Sequence, residues 1–268
     1  MQSNLYRFRG VRALYGEEAF KNFQKSHVLI VGTGGVGSWA IECLVRTGIG
    51  EITIIDNDII DEGNSNRQLH TLVSTYGQTK ASVMKNRMLD INPDLKISIK
   101  EVFLTPENIG NLITSDVDYI IDAIDSLESK VNLIDYAKKN NIPIVVAGGA
   151  AGKTDPLMVK VADLADVKYD RLLSRTRNVL RKQFGYPKNG KKMKIKAVYC
   201  EQESILSREI NPGDDLPKIG ASMCVTSTCG LNLAAVVLKD LNSYLEAFLG
   251  RKIFKYYIRN LKAWQLFN

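Results

Sequence analysis

The chain has 268 residues, 45% hydrophobic and 24% charged, an ordinary globular composition that excludes a disordered or fibrous protein. Its net charge of +7 favours a polyanionic partner such as nucleic acid. The first dozen residues are polar and basic. No apolar run reads as a signal peptide or as long enough to span a bilayer, so a cytoplasmic protein with no membrane part is expected.

Residues 17–25 carry Ala19, Phe20 and Phe23 at helical spacing and predict a short amphipathic helix. Residues 27–31 are apolar and β-branched and run into Gly32-x-Gly34-Gly35-x-Gly37, followed by an apolar helix over 39–46. This reads as a buried parallel strand, a tight turn and a helix N-terminus. Glycines let phosphate approach the backbone N–H groups, and the helix end adds partial positive charge. The stretch is therefore a candidate nucleotide phosphate cradle.

A second strand, 51–55, ends at Asp56, and a long polar loop runs from 57 to 70. A helix over 79–91 and a strand over 96–103 follow, and Thr105-Pro106 reads as a helix start. Strand 117–121 ends at Asp122-Ala123-Ile124-Asp125. Helix 126–140, strand 142–146 and a glycine-rich segment to Gly152 complete the alternation. The fold class is thus α/β, a Rossmann-like doubly wound, mostly parallel sheet.

A strand over 157–161 and a basic C-terminal extension come next. Residues 167–184 read as a helix with Lys168, Arg171, Arg175, Arg177, Arg181 and Lys182, and lysines continue to Lys196 with only Asp170 opposing. A strand over 195–199, a loop over 209–218, an apolar helix over 224–248 and an aromatic, basic tail over 251–268 end the chain. The expected organisation is a nucleotide-binding unit, 1–165, and a C-terminal part, 166–268, packed on the same core. The basic segment is a candidate RNA footprint, and the tail aromatics are expected mainly to pack.

In open α/β sheets ligands sit beyond the carboxyl ends of strands, where Asp56 and the Asp122/Asp125 pair fall. Asp56 stands at the offset from the glycines at which an acid reads ribose hydroxyls. Arg67 and Lys80 form a cationic pair that hydride transfer does not need, whereas a nucleoside triphosphate does. Asp125 is a candidate Mg²⁺ ligand, since Mg²⁺ takes one or two carboxylates plus phosphate oxygens. The four cysteines form no Cys-x-x-Cys pair, which argues against a zinc ribbon. Cys43, Cys224 and Cys229 are expected to be buried, and His70 to cap a loop.

Gly32-x-Gly34-Gly35-x-Gly37, Asp56-x-Asp58, Asn64-x-x-Arg67-Gln68, Lys80 and Asp122-x-x-Asp125 together resemble the signature of the ubiquitin-activating (ThiF/MoeB/HesA) superfamily, over residues 7–152. Members adenylate a carboxylate with ATP and release pyrophosphate. The resemblance implies ATP and Mg²⁺ as cofactors. Asp56, with Asp58 beside it, would bind the ribose side. Asn64, Arg67 and Lys80 would hold the phosphates with Gln68 in support, and Asp125 would hold Mg²⁺. Arg67, Lys80 and Asp125 are the implied catalytic set. A homodimer is implied, in which an N-terminal arginine reaches the partner's ATP; Arg7, Arg9 and Arg12 are the candidates.

Four more segments narrow the resemblance: 7–16, Arg46-Thr47-Gly48-Ile49-Gly50, Asp122-Ala123-Ile124-Asp125-Ser126, and Gly148-Gly149-Ala150-x-Gly152-x-x-Asp155-Pro156. They are similar to the branch acting on threonylcarbamoyladenosine in tRNA. There the threonyl carboxylate is adenylated and the side chain cyclises with loss of AMP, a net dehydration. The alternative is adenylation of the C-terminal Gly-Gly of a ubiquitin-like sulfur carrier. A sulfur-transfer or electron-transfer protein is a further possible partner. The loop before the last helix lacks the cysteine some members carry there, so no covalent cysteine step is assigned.

Overall fold

A computed structural model describes residues 2–188, 190–206 and 217–242, with side chains from residue 5 onward. Three short helices, α1 (Gln2–Arg7), α2 (Arg9–Tyr15) and α3 (Glu17–Lys25), precede the sheet. Then come β1 (His27–Val31), α4 (Gly37–Thr47), β2 (Glu51–Ile55), α5 (Lys80–Ile91), β3 (Lys96–Lys100) and the single turn α6 (Ile109–Leu112). The chain continues through β4 (Tyr119–Asp122), α7 (Leu127–Lys139), β5 (Ile144–Ala147), β6 (Val159–Asp163), α8 (Arg171–Gln183) and β7 (Lys196–Cys200). A last described helix, α9, spans Met223–Asn242.

The seven strands form one sheet in the order β3-β2-β1-β4-β5-β7-β6. All neighbours are parallel except β6 and β7. The order steps outward from β1 in both directions, so a crevice opens at the carboxyl ends of β1 and β4. Register keeps that edge level: Val31 lies opposite Ile55 on one side and Asp122 on the other.

Both faces of the sheet are covered, which is why β1 is buried at every position. Val28 and Ile30 join a core with Ile41, Leu44 and Met84. Leu29 and Val31 join the opposite core with Leu133, Ile134 and Leu180. This is the period-2 alternation of a strand. Helix α4 stops where Gly48 turns left-handed at φ 89°.

Three expectations from sequence are corrected. The strand foreseen over 96–103 ends at Lys100, because its one partner, β2, ends at Ile55 opposite Lys100. The helix start at Thr105-Pro106 fails. The Asn108 carboxamide accepts the Thr105 N–H and donates to the Phe103 carbonyl, so helix begins only at Ile109. The basic helix begins at Arg171 rather than 167, because Asp170 caps it by accepting the Leu173 N–H at 2.9 Å.

Helix α9 also corrects the membrane reading. It is long and apolar enough to cross a bilayer, and half of its most apolar stretch is buried inside the protein. Val225, Leu233, Val237 and Leu241 sit in the main core. Gly230 lets α9 close on α4, since a Cβ there would fall 2.4 Å from the Val36 carbonyl. Most of the 209–218 loop, the end of the apolar helix beyond 242 and the aromatic tail lie outside the described residues.

Candidate active site

The crevice at the carboxyl edge is a cavity of about 750 Å³. Gly32, Gly34, Gly35, Asp56, Asp58, Asn64, Arg67, Gln68, Lys80 and Asp125 all line it. Gly37 does not. A Cβ on Gly37 would fall 1.8 Å from the Gly32 carbonyl, so its place is the packing of α4 against the turn. Gly32 takes φ 92° with Ala123 against it, whereas Gly34 is open, the nearest atom to an added Cβ being Gln68 Nε2 at 3.9 Å. The four glycines therefore divide between closing the turn and leaving its mouth clear.

Asp56 is held from two sides. Its Oδ2 accepts the Thr33 N–H and the Thr33 hydroxyl, both at 2.6 Å, and its Oδ1 accepts the Asp58 N–H at 2.8 Å. Thr33 is a functional neighbour that sequence reading passed over as a filler between glycines. Asp58 in turn accepts a hydrogen bond from Lys80 Nζ at 2.6 Å, and the Lys80 side chain is only 7% exposed. The cation is thus held at the cavity wall by a carboxylate.

The loop after Asp56 is built to place Arg67. Asn64 closes a short 3-10 turn, Glu62–Asn64, by accepting the Asp61 N–H. Trp39 on α4 donates to the Arg67 carbonyl at 3.1 Å, and Asn66 donates to Ala221. The Arg67 guanidinium donates to Gly63 O at 3.1 Å and Asn66 Oδ1 at 2.8 Å, and its stem lies on Gly35. Gln68 is buried, and its Oε1 has no hydrogen-bond partner among the described residues. That leaves an unused acceptor in the cavity wall, as a polar ligand requires.

The two aspartates after β4 separate. Asp122 is fully buried and accepts Lys130 Nζ at 2.8 Å and the Ile124 N–H at 3.0 Å. Burial pushes its carboxyl up and the ammonium pulls it back. It is a buried ion pair that shapes the turn. Asp125 is exposed on the cavity rim and accepts no hydrogen bond from any described residue. A single free carboxylate beside a phosphate cradle fits Mg²⁺, which keeps several waters and completes its shell with phosphate oxygens.

His70 is 1% exposed, and neither ring nitrogen has a hydrogen-bond partner among the described residues. It does not cap the loop. Burial, with the Lys80 charge behind it, lowers its pKa to about 4, so it is neutral at physiological pH. Cys200 and Cys229 are buried and Cys43 is half-buried, but Cys224, expected to be buried, is exposed. It falls in the first turn of α9, on the side away from the core. Burial pushes the Cys229 thiol up to about 12.

None of the three N-terminal arginines lines the chain's own cavity. Arg12 pairs with Glu17 at 2.8 Å, and Arg9 lies 4.2 Å over the Tyr6 ring. The basic segment is partly spent on structure. Arg177 donates to the Leu164 and Val167 carbonyls at 3.1 and 2.9 Å, and Arg181 donates to Pro187 O at 3.0 Å. Lys192 pairs with Asp166, and Lys196 with Asp240.

Known proteins resemble this chain over most of its length. The tRNA threonylcarbamoyladenosine dehydratase of Escherichia coli (strain K12) is 39% identical over 249 residues, covering 88% of this chain and 93% of that protein. The Bacillus subtilis (strain 168) protein of the same name is 34% identical over 252 residues, covering 90% and 97%. The crystal structure of the E. coli enzyme, TcdA, in complex with ATP matches with a TM-score of 0.84 at 39% identity, covering 91% of this chain and 96% of that chain. The ThiF family model matches residues 8–262. In sequence along nearly its whole length, and in fold, this chain belongs to the ThiF family.

Proposed function

We propose that the protein uses ATP to adenylate the threonyl carboxylate of threonylcarbamoyladenosine in tRNA and then lets that side chain cyclise, a net dehydration. One observation carries the reading: a single cavity gathers an open glycine turn, a fixed carboxylate at Asp56, and the cations Arg67 and Lys80. The named function of relatives that cover almost the whole chain supports it.

A carboxylate oxygen attacks the α-phosphorus, and the bond to the bridging oxygen breaks as pyrophosphate leaves with the electron pair. A nucleophile within the same side chain then closes on the acyl carbon and AMP departs. The protein's part is placement and charge. Asp56 takes the ribose, with Asp58 beside it. Lys80, released from Asp58, and Arg67 neutralise the phosphates as charge builds on the leaving group, with Asn64 and Gln68 in support. Asp125 would hold Mg²⁺, which would supply further positive charge beside the phosphates.

Residues 1–165 act as the ATP-binding unit, and 166–268 supply one wall and the basic helix that meets tRNA. The working form is a cytoplasmic homodimer in which Arg7, Arg9 or Arg12 reaches the partner's cavity.

The test is incubation of the full chain with ATP, Mg²⁺ and tRNA bearing the modification, followed by mass spectrometry of the nucleosides. Loss of one water with AMP formation is expected. No loss, with ATP–pyrophosphate exchange provoked instead by a Gly-Gly carrier protein, would transfer the assignment to a sulfur-carrier adenylyltransferase.

A further inference from the structure

Beside the first cavity lies a second, shallower and open to solvent, of about 630 Å³, lined by Tyr169, Asp170, Arg171, Arg175, Glu203 and Leu206. The two share a partition. Leu172 and Gly149 line the first cavity, and Gly149 donates its N–H to Asp170 Oδ2 at 2.9 Å. Gly148 is glycine for the same reason, since a Cβ there would fall 2.2 Å from that oxygen. The loop after β5 and the N-terminus of α8 are therefore joined along the border that the two cavities share.

The cavity-facing groups are not the ones that brace the basic segment. Arg171 and Arg175 stand one helical turn apart, both exposed, and neither has a hydrogen bond to a described residue. Tyr169 sits at φ 54°, a left-handed conformation that a bulky side chain avoids. It is held there from both sides. Lys153, 2% exposed, donates its Nζ to the Tyr169 carbonyl at 2.9 Å, and Asp170 is fixed as the helix cap. The result is a phenol ring 53% exposed at the cavity, next to two free guanidinium groups and the positive end of a 13-residue helix. Backbone held in an unfavourable region by buried partners is the kind of strain that gathers at ligand sites.

We infer that this second cavity receives the adenine nucleotide that carries the reacting carboxylate. The base, turned out of the RNA stack, lies on the Tyr169 ring, and its flanking phosphates lie on Arg171 and Arg175. Enzymes that act on a base must take it out of the stack, and single-stranded RNA is read by aromatic and guanidinium faces. The volume falls within the roughly 300–1,000 Å³ usual for small-ligand sites. The shared partition puts a substituent on that base one loop away from the first cavity. The inference rests on the proposed function and adds the seat of the substrate to it.

The experiment compares Tyr169→Ala, Tyr169→Phe and the double variant R171A/R175A with the unaltered protein. Readouts are ATP affinity, fluorescence anisotropy with a modified anticodon stem-loop, and dehydration of that stem-loop. Y169A and R171A/R175A should each weaken stem-loop binding about tenfold or more while ATP affinity stays within twofold. Y169F, which keeps the ring, should bind like the unaltered protein. Lys138→Ala, at an exposed lysine in the last turn of α7 and outside the basic segment, should cost less than twofold. Unchanged stem-loop affinity in Y169A and R171A/R175A, with dehydration intact, overturns the seat and leaves the proposed function standing. A loss in K138A as large as in R171A/R175A also overturns it, since diffuse charge would then account for binding. If the unaltered protein does not dehydrate the stem-loop, the proposed function has failed and the seat falls with it. Binding of an acidic protein that Y169A and R171A/R175A abolish, with stem-loop binding untouched, would reassign the cavity to that partner.

Discussion

Lys80 Nζ lies 2.6 Å from Asp58 Oδ2, and that contact ties the cation of the candidate active site to the strand-end loop that carries Asp56. Asp58 is largely exposed and Lys80 is buried, so the pair stabilises the fold only modestly, by about 1 kcal/mol. Lys80→Ala should reduce substrate-dependent ATP–pyrophosphate exchange about a hundredfold or more. Its thermal melt should shift by only a few degrees. Exchange at the unaltered rate in a folded K80A protein would remove Lys80 from the site. The same variant should raise the His70 pKa, because the Lys80 charge helps to lower it; NMR titration of the imidazole reads that directly.

The glycine turn predicts two unlike outcomes. Gly34→Ala should fold normally, as nothing crowds an added Cβ there, and should lose ATP affinity because the cradle mouth is narrowed. Gly37→Ala meets the Gly32 carbonyl and should lose about 3 kcal/mol of stability. Urea melts and ATP titration calorimetry on the two variants separate the roles. Equal stability in both would show that Gly37 is not a packing residue.

Much of this division was legible from residue type. The apolar runs with helix-period segments between them placed β1, β2, α3 and the mostly parallel class of the sheet. The spacing of acids and cations found the residues that now share a cavity. What could not be read was which member of each motif faces the ligand. Gly37 and Asp122 carry the motif as fully as Gly34 and Asp125, yet one packs a helix and the other pairs with a lysine eight positions on. Lys130 looks in sequence like any lysine of an amphipathic helix. Only the parallel pairing of β4 with β1 and β5 encloses it. Likewise Asn108 displaces the Thr105 cap through a side-chain hydrogen bond that competes locally with helix.

Lys130→Met tests the buried pair. With Asp122 and Lys130 both at 0% exposure, removing the ammonium leaves a carboxylate in an apolar surround, at a cost of about 3–5 kcal/mol near neutral pH. The deficit should shrink as pH falls. Loss of Lys130 takes away the influence that lowers the Asp122 pKa, so the folded value rises further above the unfolded one. The folded state then binds more protons than the unfolded state, and stability falls as pH rises. Denaturant midpoints between pH 5 and 8 check the slope.

His70 gives the opposite slope. Its folded pKa of about 4 lies below the ordinary 6.5, so the unfolded chain takes up the proton first as pH falls. Stability should drop through that window by on the order of 2–3 kcal/mol and then level off. His70→Leu should flatten this part of the profile. An unchanged acid limb in H70L would place the titration elsewhere.

Asp125→Asn should leave metal-free ATP binding within about twofold. It should raise the Mg²⁺ concentration that half-saturates exchange about tenfold. A metal dependence identical to that of the unaltered protein would reassign the carboxylate.

Arg177 sits in neither cavity, yet its guanidinium suspends the stretch between β6 and α8 by the carbonyls of Leu164 and Val167. That stretch has no β-ladder of its own beyond a short 3-10 turn, and it delivers Tyr169 and Asp170 to the partition. One side chain thus works as a hanger for the border between the two cavities. Natural variants that lose it would keep a sound sheet and an intact glycine turn, and would slacken the border between the two cavities.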